Sequence, residues 1–330
     1  MNSQKNNKKS ICVIGAGHWG KNHVKTLHSL GVNIGVVEKE KKIREELSSM
    51  YHNCKIYKNI NEALEFGYDG FTIATPAAMH FDNAKKIIES KNHVLVEKPI
   101  TMNKDQAIEL NNLAKTNHVN LMVGHLLLFH PAFNKIKNIL DEGKLGDLQY
   151  IYSNRLNHGV IRSDENVFWS LAPHDISLFQ FFFNNIPFEI ISSGVDILQN
   201  GIHDTTITSL KYPGNKMGHI FVSWLHPFKE HRFIIIGSKG MVHFEDSLES
   251  KPLLFYNKNV DFKNNIPVAN QGDSKIINYK FEYPLTLELK YFIDHLDGKK
   301  VKIASGESAI EVMEILERAT KSLEGESLYG

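Results

Sequence analysis

A short apolar strand that runs straight into a G-x-G-x-x-G turn, and from there into a helical pattern, constrains this chain more than any other feature. Ile11-Cys12-Val13-Ile14 is the strand and Gly15-Ala16-Gly17-His18-Trp19-Gly20 is the turn. His23, Val24, Leu27 and Leu30 then fall on one side of a helix. The first glycine permits the tight turn. The second lets backbone approach a pyrophosphate, and the third allows close helix–strand packing. The helix N-terminus offers N–H groups and partial positive charge to the phosphates. Dinucleotide binding is the expectation, with Gly15, Gly17, His18, Trp19 and Gly20 at the site. The alternative is a glycine-rich turn in an α/β protein of another kind.

Val32 to Val37 reads as the second strand, ended by Glu38. An acid roughly 20 residues past the glycines is placed to bond the adenosine ribose hydroxyls. A carboxylate there repels a 2′-phosphate, which favours NAD over NADP. Lys39, Lys41 and Lys42 weigh the other way unless they are the solvated start of a helix. Strands and helices keep alternating: Lys55 to Tyr57, Ile60 to Phe66, Gly70 to Ala74, Met79 to Glu89, Val94 to Val96, Lys104 to Thr116 and Leu121 to Val123. Such alternation means a doubly wound parallel sheet covered on both faces. Thr75-Pro76 and Glu97-Lys98-Pro99 then end strands on the same sheet edge as the glycine loop, the edge where ligands bind in open α/β sheets. Proline cannot donate to a ladder, so the strand before it stops and leaves Lys98 at that edge. A lysine there is a compact charge with a tunable pKa; the plainer reading is a surface Glu–Lys pair. His80 lies either near the cofactor or in a cap.

The second half has a different texture. After a helix over Ala132 to Leu140, the chain reads from Asp147 as alternating strands: Leu148 to Arg155, Glu189 to Leu198, Thr205 to Tyr212, Gly218 to Trp224, Arg232 to Ile236 and Met241 to Phe244. Lys211 to Lys216, with Pro213-Gly214-Asn215 inside it, is a hairpin turn. Short turns between consecutive strands imply a large open, mostly antiparallel sheet. Helices are scarce, so its exposed face is expected to form an oligomer interface. Helices over Leu285 to Leu296 and Glu307 to Ser322 close the chain. The domain reading is a disordered arm over 1–10, a Rossmann domain over 11–125 and an α/β substrate and oligomerisation domain over 126–330, with the last helices packing back on the first domain.

One segment of the second half is rich in polar groups that are costly to bury unpaired: Ser153 to Arg162, then Glu165 to Ile176. Pro173 suits the first turn of a helix through Ile176, Leu178 and Phe179, which places His174 in that turn with Asp175 beside it. A histidine can take a proton from an alcohol at neutral pH; it can also simply serve the helix cap. Arg155 and Arg162, with Asn157, are candidates for binding phosphate oxygens, the alternative being salt bridges to Asp164 or Glu165.

Composition narrows the rest. A formal net charge of +1 argues against a nucleic-acid footprint. Two cysteines without pairing or metal spacing fit a reducing compartment. There is no apolar leader, and no run approaches the roughly 18 residues that span a bilayer, so a soluble cytoplasmic protein without membrane partners is expected. Seventeen histidines show no ligand spacing, so no metal is expected, and no elbow motif supports a nucleophilic serine or cysteine.

Three motifs in this order resemble the glucose–fructose oxidoreductase/inositol dehydrogenase (Gfo/Idh/MocA) family: Gly15 to Gly20, Glu97-Lys98-Pro99, and a second-domain helix bearing His174. The resemblance covers nearly the whole chain. It implies a Rossmann domain followed by an α/β domain with a large open sheet, assembly as a homodimer or homotetramer, NAD as cofactor, and Lys98 in contact with the nicotinamide ribose and the reacting oxygen. It also implies His174 near the substrate. The family often has an aspartate four residues before that histidine; Ser170 stands there, leaving Asp175 as the substitute carboxylate. Ser153 to Asn157, Trp169 to Asp175 and Ser223 to Lys229 are similar to a subgroup acting on nucleotide sugars, the UDP-N-acetylglucosamine 3-dehydrogenases of diaminosugar and lipid A synthesis. That implies substrate contacts from Arg155, Asn157, Arg162, Trp169 and His174. The resulting expectation is hydride transfer from sugar C3 to NAD⁺, with His174 as base and Lys98 steadying the alkoxide. The rival readings are an NADPH-dependent keto-sugar reductase, another sugar or inositol dehydrogenase, a redox-neutral glycosidase cycle, and a non-enzymatic dinucleotide or sugar-nucleotide sensor.

Overall fold

The structure, a computed structural model, describes residues 8–325. Residues 1–7 of the expected arm lie outside the described residues; Ser10 opens the first strand, and its hydroxyl donates to Asp69 at 2.7 Å. The chain divides into two compact units. One takes the chain to Phe129 together with Glu282–Met313; the other takes His130–Phe281 together with the chain from Glu314.

The first unit is a parallel six-stranded sheet. Its strands are β1 (Ser10–Ile14), β2 (Asn33–Val37), β3 (Lys55–Tyr57), β4 (Gly70–Ile73), β5 (His93–Val96) and β6 (Leu121–Val123), in the order β3-β2-β1-β4-β5-β6. That order reverses direction between β1 and β4, which makes their carboxyl ends the switch point where dinucleotides bind. Apart from the edge strand β3, the strands are almost continuously apolar and buried, as they must be with helices on both faces. Between them run α1 (His18–Ser29), α2 (Lys41–Met50), α3 (Ile60–Leu64), α4 (His80–Glu89) and α5 (Lys104–Thr116). Asparagine side chains set two of the starts: Asn59 accepts from Glu62 N and Asn103 from Gln106 N.

In the second unit α6 (Pro131–Asp141) precedes β7 (Leu148–His158) and α7 (Val167–Phe183). Seven more strands follow: β8 (Glu189–Val195), β9 (Thr205–Tyr212), β10 (Lys216–Ser223), β11 (Leu225–Gly237), β12 (Met241–Glu245), β13 (Leu253–Lys263) and β14 (Ile266–Ile276). The sheet order is β14-β13-β12-β11-β7-β10-β9-β8, antiparallel throughout except for the β7–β10 pair. The hairpin at Tyr212–Lys216 forms as expected. Phe179 of α7 fills the space over Gly218, where an added Cβ would meet its ring at 2.4 Å, and Phe133 of α6 meets Phe233 and Phe244 on the same face. Trp224 is buried and donates to Asp204, which also accepts from the backbone of Ile197 and Leu198. The opposite face turns Tyr150, Tyr152, Ile191, Ile207, Met217, His219 and Ile234 outward, with Tyr152 and His219 stacked at 5.0 Å. Helices α8 (Pro284–Ile293) and α9 (Gly306–Leu323) close the chain. Among the described residues, no helix is long and apolar enough to cross a membrane.

One element starts earlier than the sequence suggests. Pro173 lies inside α7, not in its first turn. Asn166 caps the helix by accepting from Trp169 N at 3.1 Å, and the turn it starts is already formed when the chain reaches the proline. His174 therefore sits in mid-helix.

Candidate active site

In the first unit the site is a set of strand ends in register. Ile14, Ile73 and Val96 are neighbours across β1, β4 and β5, so the residues after them, Gly15, Ala74-Thr75 and Glu97-Lys98, line up along one edge. Gly15 has φ +84°, and an added Cβ would stand 2.8 Å from Thr75 Cγ2. At Gly20 a Cβ would strike Gly15 O at 2.0 Å, so the loop and α1 touch backbone to backbone. Gly17, the N-cap of α1, has nothing within 4 Å of its Cβ position, and no side chain caps the helix. Its first-turn N–H groups are therefore left without a side-chain cap, as a helix start that binds phosphate requires. Glu38 is buried at the end of β2, where its carboxylate accepts from Ala16 N at 2.8 Å and Glu40 N at 2.9 Å. The ribose-side acid is thus tied to the glycine loop itself.

Glu97 is the hub of this edge. Its Oε1 accepts from Trp19 Nε1 at 2.5 Å and lies 2.8 Å from His23 Nε2, while Oε2 accepts from Lys98 N at 3.3 Å. Burial pushes this acid up, but the His23 and Trp19 hydrogen bonds outweigh burial and hold it below the ordinary carboxylate range. One anion thereby joins the first turn of α1 to the backbone of Lys98. His80 is buried, with its ring nitrogens 2.8 Å from Thr75 O and Pro99 O. It pins the two strand-end loops to each other, and both nitrogens are taken up in doing so.

In the second unit Arg155 on β7 and Asp175 on α7 form a buried two-point pair, Nε to Oδ2 at 2.7 Å and Nη2 to Oδ1 at 3.0 Å. His174 is half-buried one residue away, about 100° round the helix from Asp175 at 3.6 residues per turn. Asp175 is thus engaged with Arg155, and part of the guanidinium fork is engaged in return. Trp169 donates from Nε1 to Thr320 at 2.8 Å. Arg162 is half-exposed with its Nε 3.8 Å from Glu165, and Asn157 folds its amide over Gly159.

Comparison with known proteins decides the family. Residues 9–125 match the model of the oxidoreductase family with an NAD-binding Rossmann fold, and residues 133–243 match the GFO/IDH/MocA C-terminal domain. The chain belongs to the Gfo/Idh/MocA family. Its first unit holds the NAD-binding Rossmann domain of that oxidoreductase family. The UDP-N-acetylglucosamine 3-dehydrogenase of Acidithiobacillus ferrooxidans is 28% identical over 184 residues, 56% of this chain and 57% of that one. The chain thus matches somewhat over half the length of that relative. Inositol 2-dehydrogenase of Mycolicibacterium smegmatis is 27% identical over 221 residues, 62% of this chain and 63% of the relative. By structure, the same Acidithiobacillus ferrooxidans dehydrogenase superposes with a TM-score of 0.83 at 19% identity, covering 96% of this chain and 98% of that one.

The Gfo/Idh/MocA motifs mark Lys98 and the glycine loop but not what fixes them. The Trp19–Glu97–His23 cluster joins residues more than 70 positions apart. The sign in the sequence was a histidine on the inward side of α1, where an apolar residue would pack. The Arg155–Asp175 pair carries its own prediction. Asp175→Ala leaves a buried guanidinium without its anion, and should cost about 3–5 kcal/mol of unfolding free energy. Denaturant unfolding checks it; a loss under about 1 kcal/mol, the range of an exposed pair, contradicts the pairing.

Proposed function

We propose that this oxidoreductase oxidises a hydroxyl of a nucleotide sugar, C3 of UDP-N-acetylglucosamine, to the ketone with NAD⁺. The observation that carries the reading is the placement of Lys98. It stands on the carboxyl edge of the parallel sheet, in register with the phosphate loop and anchored through Glu97. NAD⁺, when bound, supplies the hydride acceptor. The chain's own residues do the rest. Glycine-loop N–H groups hold the diphosphate, and Glu38 meets the ribose hydroxyls and disfavours a 2′-phosphate. His174 takes the hydroxyl proton as the C3 hydride leaves. Lys98 donates a hydrogen bond to the oxygen as its negative charge grows. Arg155, steadied by Asp175, and Arg162 supply cations for the UDP diphosphate, with Asn157 and Trp169 as neighbours on the substrate side. In this reading Asp175 orients Arg155 and is not the base.

The outward apolar face of the eight-stranded sheet fits a second copy of the chain. Ile191 is 54% exposed and Ile207 51%, beside the Tyr152–His219 stack. A homodimer or homotetramer is the expected assembly; light scattering that finds a monomer at micromolar concentration removes it.

Purified protein, a panel of UDP- and dTDP-sugars, and NAD⁺ and NADP⁺ in parallel test the reading through absorbance of the reduced nicotinamide. NADH formation with UDP-N-acetylglucosamine, and little with NADP⁺, is expected. Reduction of neither cofactor by any nucleotide sugar overturns it.

A further inference from the structure

Helix α8 carries a glutamate among the apolar side chains of its packed face. Glu288 is fully buried beside Leu289 and Phe292, and among the described residues neither of its carboxyl oxygens has a hydrogen-bond partner. The helix packs against α1 and against the turn Leu126–Phe129, both within the first unit. Two imidazoles on those neighbours are in a similar state. His23 Nδ1 and both ring nitrogens of His125 are buried with no partner among the described residues. His125 follows Gly124, whose added Cβ would stand 2.7 Å from Glu97 Oε2. The segments that carry Glu288, His125 and His23 thus pack together beside Glu97, at the strand end that presents Lys98.

Two anions cannot share such a dry site cheaply. Glu97 already has its donors, and it is the one held anionic. Burial first, and then the charge of Glu97, push the Glu288 acid well above the ordinary carboxylate range. Burial also brings the His125 imidazole down to about 4, so it is neutral. A neutral carboxylic acid has what a carboxylate lacks, an O–H donor.

We propose that Glu288 is a positioning residue for the Glu97–Lys98 strand end. It is kept as a neutral acid that donates its hydrogen bond through a buried water into the cluster formed with His125 and Glu97. It thereby fixes the carboxylate that holds Trp19 of the phosphate loop and the backbone of Lys98. The role rests on the assignment of that edge to the cofactor, yet it needs no knowledge of the sugar. A buried water makes about three hydrogen bonds, so one or two waters would satisfy the orphaned nitrogens and oxygens.

The test compares the full-length wild type with Glu288→Gln and Glu288→Leu. Glutamine keeps the shape and a donor; leucine keeps the bulk and loses the donor. Infrared spectra near pH 8 should show a protonated-carboxyl band in wild type that both variants lack. Stability gives a second readout. The folded-state pKa is raised, so folding retains a proton that the unfolded chain releases above about 4.5. Wild-type stability is therefore full below that pH and falls as pH rises toward the folded value. Glu288→Gln lacks this fall and should gain in Tm over wild type between about pH 5 and pH 8. Glu97, and His23 and His125 on or beside the elements packed against α8, are the same in both proteins, so their titrations largely cancel. Finally, NADH affinity should drop about tenfold in Glu288→Leu and return in Glu288→Gln. No carboxyl band, with parallel pH–stability curves, means an ionised Glu288 and ends the proposal. Wild-type NADH binding by the leucine variant ends the positioning role. None of the three readouts needs turnover, so failure of the nucleotide-sugar reading leaves this test intact.

Discussion

His174→Ala is expected to lower kcat by about 10²- to 10⁴-fold with UDP-N-acetylglucosamine, because the hydroxyl proton loses its acceptor as the hydride departs. The fold should tolerate the change. Alanine is the best helix former, and position 174 lies in mid-helix, away from the Asn166 cap. The Arg155–Asp175 pair keeps α7 on β7 without the imidazole. The loss should therefore appear in turnover, with NADH affinity and unfolding free energy nearly unchanged. The limb of the kcat–pH profile set by the base should disappear with it. Turnover within about threefold of wild type would remove His174 from the chemistry.

Lys98→Met is expected to cost about 10²- to 10³-fold in kcat, the range for removing one donor aimed at a developing oxyanion. Methionine is unbranched and of similar reach, so what is lost is the ammonium. The Glu97 contact to this residue runs through backbone N–H and survives the substitution. Trp19 and His23 also keep their hold on Glu97. NADH titration of the variant should thus resemble wild type while single-turnover hydride transfer slows. A variant that turns over normally would make Lys98 a bystander at the sheet edge; one that fails to bind NADH would show that its contact with the nicotinamide ribose dominates.

The first unit was legible because most of its strands are short apolar runs, and α1, α4 and α5 carry their apolar residues on one side. The strand order itself emerged only with the fold. The second unit was less legible. β13 and β14 went unread because both are largely exposed on both faces, with Phe262 and Ile266 pointing outward, so no two-residue alternation marks them. The start of α7 was misplaced because Pro173 is a strong N-terminal signal and Asn166, the actual cap, is a weak one. At the site, sequence order shows which residues stand at strand ends, since that is local. Which anion meets which donor depends on registers and helix rotation. The partnerships Glu97–Trp19, Glu97–His23 and Arg155–Asp175 therefore emerged only with the fold. Glu288 is the extreme case: in sequence it is one acid in a helix, and only complete burial gives it meaning.

Isotope transfer tests the central claim most directly. UDP-N-acetylglucosamine carrying deuterium at C3 is turned over with NAD⁺, and the reduced cofactor is weighed by mass spectrometry. Hydride transfer from C3 predicts NADH that carries the deuterium. NADH of ordinary mass, or no NADH at all, contradicts it.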